Sequence, residues 1–121
     1  MGTLASMAII GSYERHPDLG CEAVVFLDQE SDACFQLQRD LPGGPRAGEY
    51  CITTGASAPI YGGVQAWRRV GVDRLEFALT ARAARLFGDE VVSFQLAADG
   101  EADVDELAGH VGRLLGMDRL P

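Results

Sequence analysis

Residues 50–80, YCITTGASAPIYGGVQAWRRVGVDRLEFALT, decide the fold, because strand-like runs follow one another here. The runs are 49–54, Val64–Val70 and Arg74–Leu79, and the third alternates most regularly between apolar and polar or small side chains. Alternation with a period of two residues is typical of a strand with one buried face. Glycine-containing turns separate the runs, so the sequence predicts that the three strands pair in order as an antiparallel meander.

The alternation also predicts which side chains point inward. The inward set in the first and third runs is Tyr50, Ile52, Thr54, Leu75, Phe77 and Leu79.

Further strands are predicted on both sides of this stretch. They cover residues 4–13, Cys21–Asp28, 34–39 and 90–97, with a bulge at Gly11 in the first of them. Residues 41–48, LPGGPRAG, contain two prolines and three glycines, and they predict a loop.

Two helices are predicted in the C-terminal part of the chain. Thr80 is a suitable N-cap for the short helix Ala81–Phe87, and Gly88 is a suitable residue to end it. A longer helix begins after Asp103 and ends at Gly116. Its apolar residues form one continuous stripe: Val104, Leu107, Ala108, Val111, Leu114 and Leu115.

Gly109 and Gly112 are expected on the polar side of that longer helix, where each glycine costs about 1 kcal/mol relative to alanine. Burial of the apolar stripe against the sheet must therefore stabilise the helix. The chain is predicted to be a single α+β domain, residues 1–121. It combines a mainly antiparallel sheet of six or seven strands with one short helix and a packed C-terminal amphipathic helix.

The composition narrows the classes of partner. The chain has 121 residues and a formal net charge of −8, which argues against binding to nucleic acid and permits binding to a basic protein. No apolar run is long enough to span a membrane, and the N-terminus lacks the pattern of a secretory signal. Three cysteines without a C-x-x-C pair suggest reduced thiols. We therefore expect a cytoplasmic protein that is a monomer or a homodimer.

Patterns that would indicate a metal, a cofactor or catalysis do not satisfy their chemistry. The alternating acids of residues 99–105 place Val104 where a calcium loop needs glycine, and His110 where it needs a bidentate glutamate. The two histidines belong to no zinc-binding motif, and Gly62-Gly63 belongs to no phosphate-binding motif. Cys51 is better explained as a small buried side chain than as a nucleophile. We expect no catalytic residues, no metal and no cofactor, and thus no enzymatic activity.

Two segments supply candidate partner-binding residues, namely an acidic turn and the strand around the only tryptophan. The candidates are Asp28, Glu30, Asp32, Tyr61, Trp67 and Arg69. Two interpretations of Trp67 remain open, a core anchor or a binding hot spot flanked by arginines. The loop of residues 41–48 is a further candidate for contacts.

Several segments between residues 21 and 115 together resemble immunity protein family ten of bacterial polymorphic toxin systems. They are FQLQR, YCITT, YGGVQAW, DRLEFALTARAARLFG and VVSFQLA, followed by a terminal helix with an acidic start. The most specific pieces are YGG before a strand and LEFALT running into an alanine-rich helix. The resemblance implies a small cytoplasmic protein that binds and neutralises a cognate toxin domain, and it transfers no catalytic residues.

The acidity of the chain fits a basic, nuclease-like toxin. Two other classes remain open on the sequence. One is a small-molecule-binding or enzymatic α+β domain with Tyr50, Tyr61 or Trp67 at the mouth of a pocket. The other is a structural homo-oligomer that pairs through an edge strand.

Overall fold

The computed structural model describes residues 3–31, 33–43, 48–97 and 103–117, with residues 3–8 as backbone only. These residues form one sheet and two helices. The elements in chain order are β1 (Thr3–His16), β2 (Cys21–Asp28), β3 (Cys34–Asp40), β4 (Tyr50–Thr53), β5 (Ile60–Tyr61), β6 (Val64–Val70), β7 (Arg74–Leu79), α1 (Ala81–Phe87), β8 (Val91–Leu96) and α2 (Val104–Leu115).

The eight strands form a single sheet in the order β5-β4-β3-β2-β1-β8-β7-β6. Every neighbouring pair is antiparallel except β1 and β8, which are parallel in the centre of the sheet. The predicted α+β class, with its mainly antiparallel sheet, is confirmed. The strand count rises to eight because the two-residue strand β5 is too short to show a pattern in the sequence.

The predicted meander is wrong in its first connection. β6 and β7 pair as a hairpin, whereas β4 pairs with β3 and β5 near the opposite edge of the sheet. Two glycines, Gly62 and Gly63, take the chain from β5 at one edge to β6 at the other, and both have positive φ. A side chain on Gly63 would also approach Ile52 Cδ1 to 2.8 Å, so only glycine fits there.

The sheet curves until its two edge regions meet at Tyr50 and Val64. The Tyr50 hydroxyl donates to the carbonyl oxygen of Val64 at 3.1 Å and accepts from its N–H at 3.1 Å. The N–H of Gly62 donates to the carbonyl oxygen of Tyr50 at 3.0 Å. The Tyr50 side chain thus pairs with backbone groups of β6 and joins the two edge regions of the sheet.

Strand boundaries differ from those predicted, and Gly11 is not a bulge. β1 continues to His16, and its pairing with β2 runs without interruption through Gly11. The irregularity in β1 lies between Leu4 and Ile9, in the pairing with β8. Gly11 lies beneath α2 instead, where a Cβ would overlap Cδ2 of Leu107. The glycine therefore permits close approach of the helix to the sheet.

Both predicted helices are confirmed with their caps. Thr80 Oγ1 accepts from the N–H of Ala83 at 3.3 Å, and Gly88 ends α1 in the left-handed conformation. Asp103 Oδ1 accepts from the N–H of Asp105 at 2.7 Å, and Gly116 ends α2 in the same way as Gly88 ends α1. The apolar stripe of α2 is buried, with Val104 half-buried at its start.

The core lies between the sheet and α2, which packs on β1, β2 and β3. Its centre is a cluster of aromatic rings: Phe26, Phe35, Phe77 and Phe94. Of the predicted inward side chains, Ile52, Leu75, Phe77 and Leu79 are buried, whereas Tyr50 and Thr54 are half-buried. The alternation fails in β4 because the strand ends at Thr53, whose hydroxyl bonds to Ser57 in a turn.

Candidate partner-binding site

The fold brings the β2–β3 turn, the β6–β7 turn and the start of α2 to one end of the sheet. Ile9 pairs with Asp28 on one side and with Leu96 on the other, and the N–H of Leu96 donates to the carbonyl oxygen of Asp73 at 2.8 Å. An ion pair between Arg69 and Asp105 attaches the start of α2 to β6. We call this region the acidic end; its described carboxylates are Asp28, Glu30, Asp73, Asp103, Asp105 and Glu106.

The acidic end has a large negative excess. Its six carboxylates face two guanidiniums, those of Arg69 and Arg74, which leaves a net charge of −4. That is half of the formal charge of the whole chain, −8. Glu30 and Glu106 are both exposed to solvent. Because long-range attraction depends on the sum of nearby charges, this end attracts cations.

Three of the six predicted partner-binding residues belong to this end. Asp28 is half-buried, and its Oδ1 accepts from the backbone N–H of Glu30 at 3.0 Å; Glu30 itself is exposed. Arg69, on β6, belongs to the acidic end because it pairs with Asp105 near the start of α2. Asp32 lies outside the described residues. Tyr61 is 44% exposed on β5, a strand at the opposite edge of the sheet from β6.

Trp67 is a core residue, so its interpretation as an exposed hot spot is wrong. Its side chain is only 3% exposed, and its ring stacks on Phe77 at 6.4 Å between centroids. The indole Nε1 donates to the carbonyl oxygen of Met117 at 3.1 Å. The indole is therefore a core anchor with its donor satisfied, and it contributes only its accessible edge to the surface.

Arg69 connects three elements at the acidic end. Its Nη1 pairs with Asp105 Oδ1 on α2, and its Nη2 donates to the carbonyl oxygen of Val72 at 2.6 Å in the β6–β7 turn. Its Nε is buried and has no hydrogen-bond partner among the residues that the structure describes. The guanidinium therefore holds the turn against the helix and is itself largely covered.

A groove of about 560 Å³, which we call the β6–α2 groove, runs between the edge strand β6 and the helix α2. It is lined by Trp67, Arg69, Asp105, Ala108, Gly109, Gly112, Arg113, Gly116 and Met117. A Cβ on Gly109 would meet no atom within 4 Å, whereas one on Gly112 would lie 3.3 Å from Trp67 Cζ2. Gly112 therefore faces the tryptophan and not solvent alone, which corrects its assignment to the polar side.

A polar cluster between β1, β2 and α2 was missed in the sequence. Glu22 is only 5% exposed, and its Oε1 accepts from the Tyr13 hydroxyl at 2.7 Å and from Arg113 Nη1 at 2.8 Å. Arg113 Nη2 donates to His110 Nδ1 at 2.8 Å, and the His110 ring stacks on Tyr13 at 3.7 Å. We call these four residues the Glu22 cluster. It anchors the polar side of α2 to the sheet.

The environment of the Glu22 cluster shifts the pKa of every member. Burial alone would raise the pKa of Glu22, but hydrogen bonds from Tyr13 and Arg113 outweigh burial, so this pKa is lowered. Burial and the nearby Arg113 charge lower the pKa of His110. Burial and the hydrogen bond to Glu22 raise the pKa of Tyr13, and the same carboxylate raises the pKa of Arg113. Glu22 and Arg113 are therefore held as an ion pair, and His110 is held neutral.

One signal for this cluster was present in the sequence. Glu22 is the only charged residue within the apolar run from Cys21 to Leu27, and a buried carboxylate requires partners. His110 and Arg113 are three residues apart on a helix and therefore share a face. Only the strand register shows that Tyr13, which pairs with Val24, lies close enough to complete the set.

A second groove, of about 580 Å³, lies next to the Glu22 cluster. Its lining includes Glu22, Arg39, Asp40, Pro42, Gly43, Gly48 and Arg113. Arg39 Nη1 donates to the carbonyl oxygens of Arg113 and Leu114, at 3.0 and 3.2 Å, and so caps the C-terminal end of α2. Of the aromatic residues named for the mouth of a pocket, Trp67 lines the β6–α2 groove, whereas the Tyr50 hydroxyl bonds to Val64.

Three further findings concern the described part of the chain. It contains no group of three or more His, Cys, Asp and Glu side chains placed to hold a metal ion. Neither helix in it is long and apolar enough to cross a membrane. None of the three cysteines forms a disulfide bond; Cys21 and Cys51 are buried, and Cys34 is half-buried.

Comparisons of the chain with models of protein families, with curated proteins and with solved structures found no match. The class of the protein is given by its own fold, an α+β domain in which a curved eight-stranded sheet covers α2.

Proposed function

We propose that this protein is an immunity protein, a cytoplasmic non-catalytic inhibitor that binds and neutralises the toxin domain of a bacterial polymorphic toxin system. The resemblance described above suggests this class. One observation carries the proposal: the fold collects acids that are far apart in the sequence, Glu30 and Glu106 among them, at one end of the molecule. Such a surface is electrostatically complementary to a basic partner.

In this proposal the acidic end inhibits the toxin by competing with nucleic acid for a basic surface. A toxin that cleaves or binds nucleic acid must present a basic face to phosphates. The acidic end, with its net charge of −4, competes for that face and excludes the phosphate backbone from it. Association is fastest at low ionic strength, because the Debye length falls from about 30 Å at 0.01 M salt to about 8 Å at 0.15 M.

The first experiment expresses the toxin domain encoded beside this gene with and without the protein. We expect survival of cells that contain both, and a one-to-one complex on a sizing column with no turnover of any substrate by the protein. Equal killing in both cultures, together with the absence of a complex, would contradict the proposal.

Charge reversal tests whether the acidic end makes the contact. Glu30→Lys and Glu106→Lys reverse exposed charges at this end, and Glu90→Lys makes the same change in an exposed residue at the opposite end of β8. We expect each of the first two variants to slow association by about two- to tenfold, because attraction becomes repulsion. Stopped-flow mixing at several salt concentrations measures it. Equal rates for all three variants would show that the acidic end is not the docking surface.

A further inference from the structure

One side of β6 faces away from β7. Among the residues that the structure describes, β6 pairs with β7 alone and no strand lies on its other side from Ala66 to Val70, so we call this side the free edge of β6. Val64 differs, because Tyr50 already bonds to its N–H and its carbonyl oxygen. Unpaired backbone groups on a sheet edge are a template for a strand from another chain.

This edge is held in place by two contacts with α2. Trp67 Nε1 bonds to the carbonyl oxygen of Met117, just beyond the C-terminal end of α2, and Arg69 pairs with Asp105 near its start. A strand fixed at two points loses little further conformational freedom when it binds a partner. The edge is therefore preorganised for pairing.

The β6–α2 groove lies between side chains on one face of β6 and α2. Its lining contains residues of β6 and residues in or adjoining α2 and, among the described residues, none of β7. Between the two contacts its floor includes Gly109, where a side chain would meet nothing within 4 Å. The groove thus offers space for side chains of a segment whose backbone pairs with β6.

Charge indicates what the groove accepts. Asp105 belongs to the lining at one end of the groove, and the exposed acids Asp103 and Glu106 lie next to it at the start of α2. At the other end Arg113 is neutralised by Glu22, and within the groove Arg69 is neutralised by Asp105. A basic side chain is therefore favoured at the α2 start, and uncharged side chains are favoured along the rest.

We propose that the partner inserts an extended segment into the β6–α2 groove. The segment adds a strand to the free edge of β6, and it places a lysine or arginine against the acids at the start of α2. This inference rests on the proposed function, since the partner meant is the toxin domain, and it specifies how that domain is recognised. The acidic end attracts the partner, and backbone pairing with β6 holds it.

Filling the groove tests the inference without disturbing the fold. Gly109→Trp places a large side chain in open space within the groove. Ala81→Trp makes a comparable change at an exposed position of α1, which is outside the groove. Thermal unfolding of both variants verifies that they fold. We expect Gly109→Trp to raise the Kd for the neighbouring toxin domain by at least about tenfold and Ala81→Trp to leave it within about twofold.

Hydrogen exchange supplies an independent readout for backbone pairing. We expect amides within Ala66–Val70 to exchange more slowly in the complex than in the free protein, because the added strand accepts their hydrogen bonds. A complex that forms with unchanged β6 exchange and unchanged Gly109→Trp affinity would overturn the inference and leave the proposed function standing. Protection of β6 that rises with protein concentration in the absence of toxin would also overturn it, since a second copy would then occupy the edge. Absence of any complex would instead remove the proposed function.

Discussion

Glu22 shows how one buried carboxylate can determine the environment of several side chains. Arg113 neutralises it, Tyr13 donates to it, and His110 completes the cluster through Arg113 and through stacking on Tyr13. Protonation of His110 removes the acceptor at Nδ1 and places a positive charge beside Arg113. The folded state therefore favours neutral His110, in agreement with the lowered pKa of this group.

The Glu22 cluster predicts a loss of stability in mild acid. Because the folded-state pKa of His110 is lowered, the unfolded chain binds more protons as the pH falls below about 6.5, the usual value for histidine. The free energy of unfolding should be largest above that pH and decrease below it. Glu22, whose pKa is also lowered, adds a further loss below about pH 4.5.

Urea unfolding between about pH 7.5 and about pH 5 measures this dependence, because this range brackets the titration of histidine. We expect His110→Gln to reduce the slope of stability against pH in this range, because the titrating group is gone. His16→Gln removes the other histidine, which pairs with Glu14 on the exposed surface, and serves as the control. A slope that is unchanged in His110→Gln would contradict the assignment.

At the scale of elements, α2 contains two glycines that helix propensity alone would treat alike but whose surroundings differ. The Cβ of alanine meets no atom at Gly109, but at Gly112 it would lie 3.3 Å from Trp67. We expect Gly109→Ala to stabilise the protein by about 1 kcal/mol, through helix propensity alone. Gly112→Ala should give clearly less, because the tryptophan must shift. Chemical denaturation of the two variants compares them, and equal stabilisation would mean that Trp67 does not restrict α2.

The stripe on α2 gives a second prediction at this scale. Val111 is completely buried at the middle of the stripe. Val111→Asp places a carboxylate without a partner among core side chains and should cost several kcal/mol, on the order of 3 to 5. A melting temperature within one or two degrees of the parent would contradict the packing of α2 on the sheet.

The helices could be predicted from the sequence more completely than the sheet. Caps and apolar stripes depend on residues within about four positions of one another, so Thr80, Asp103 and both terminal glycines were sufficient. Strand partners depend on the path between strands. The turn at Gly62-Gly63 sends β6 away from β4, and nothing in the local pattern distinguishes this from a hairpin. The Glu22 cluster was missed for the same reason, since strand register and helix docking assemble it.

For the whole molecule, Tyr50 is the residue that closes the sheet. Tyr50→Phe keeps the ring and removes the hydroxyl that satisfies both backbone groups of Val64, a residue in the core. We expect a loss of about 1 to 3 kcal/mol, the cost of leaving buried polar groups unpaired. Faster amide exchange at Val64 should accompany it. Unchanged stability and unchanged exchange at Val64 in Tyr50→Phe would show that closure does not depend on this hydroxyl.

The central pairing of β1 with β8 has a consequence for how the chain folds. Leu4 pairs with Phe94, so β1 cannot pair with β8 until most of the chain has left the ribosome. Contacts between residues so distant in sequence favour slow folding, on the order of milliseconds to seconds. A nascent chain that has reached only β7 exposes one long edge of β1 and the aromatic rings that β8 would cover. The sheet would then be completed only after synthesis is nearly finished, and chains released early would be targets for chaperones and proteases.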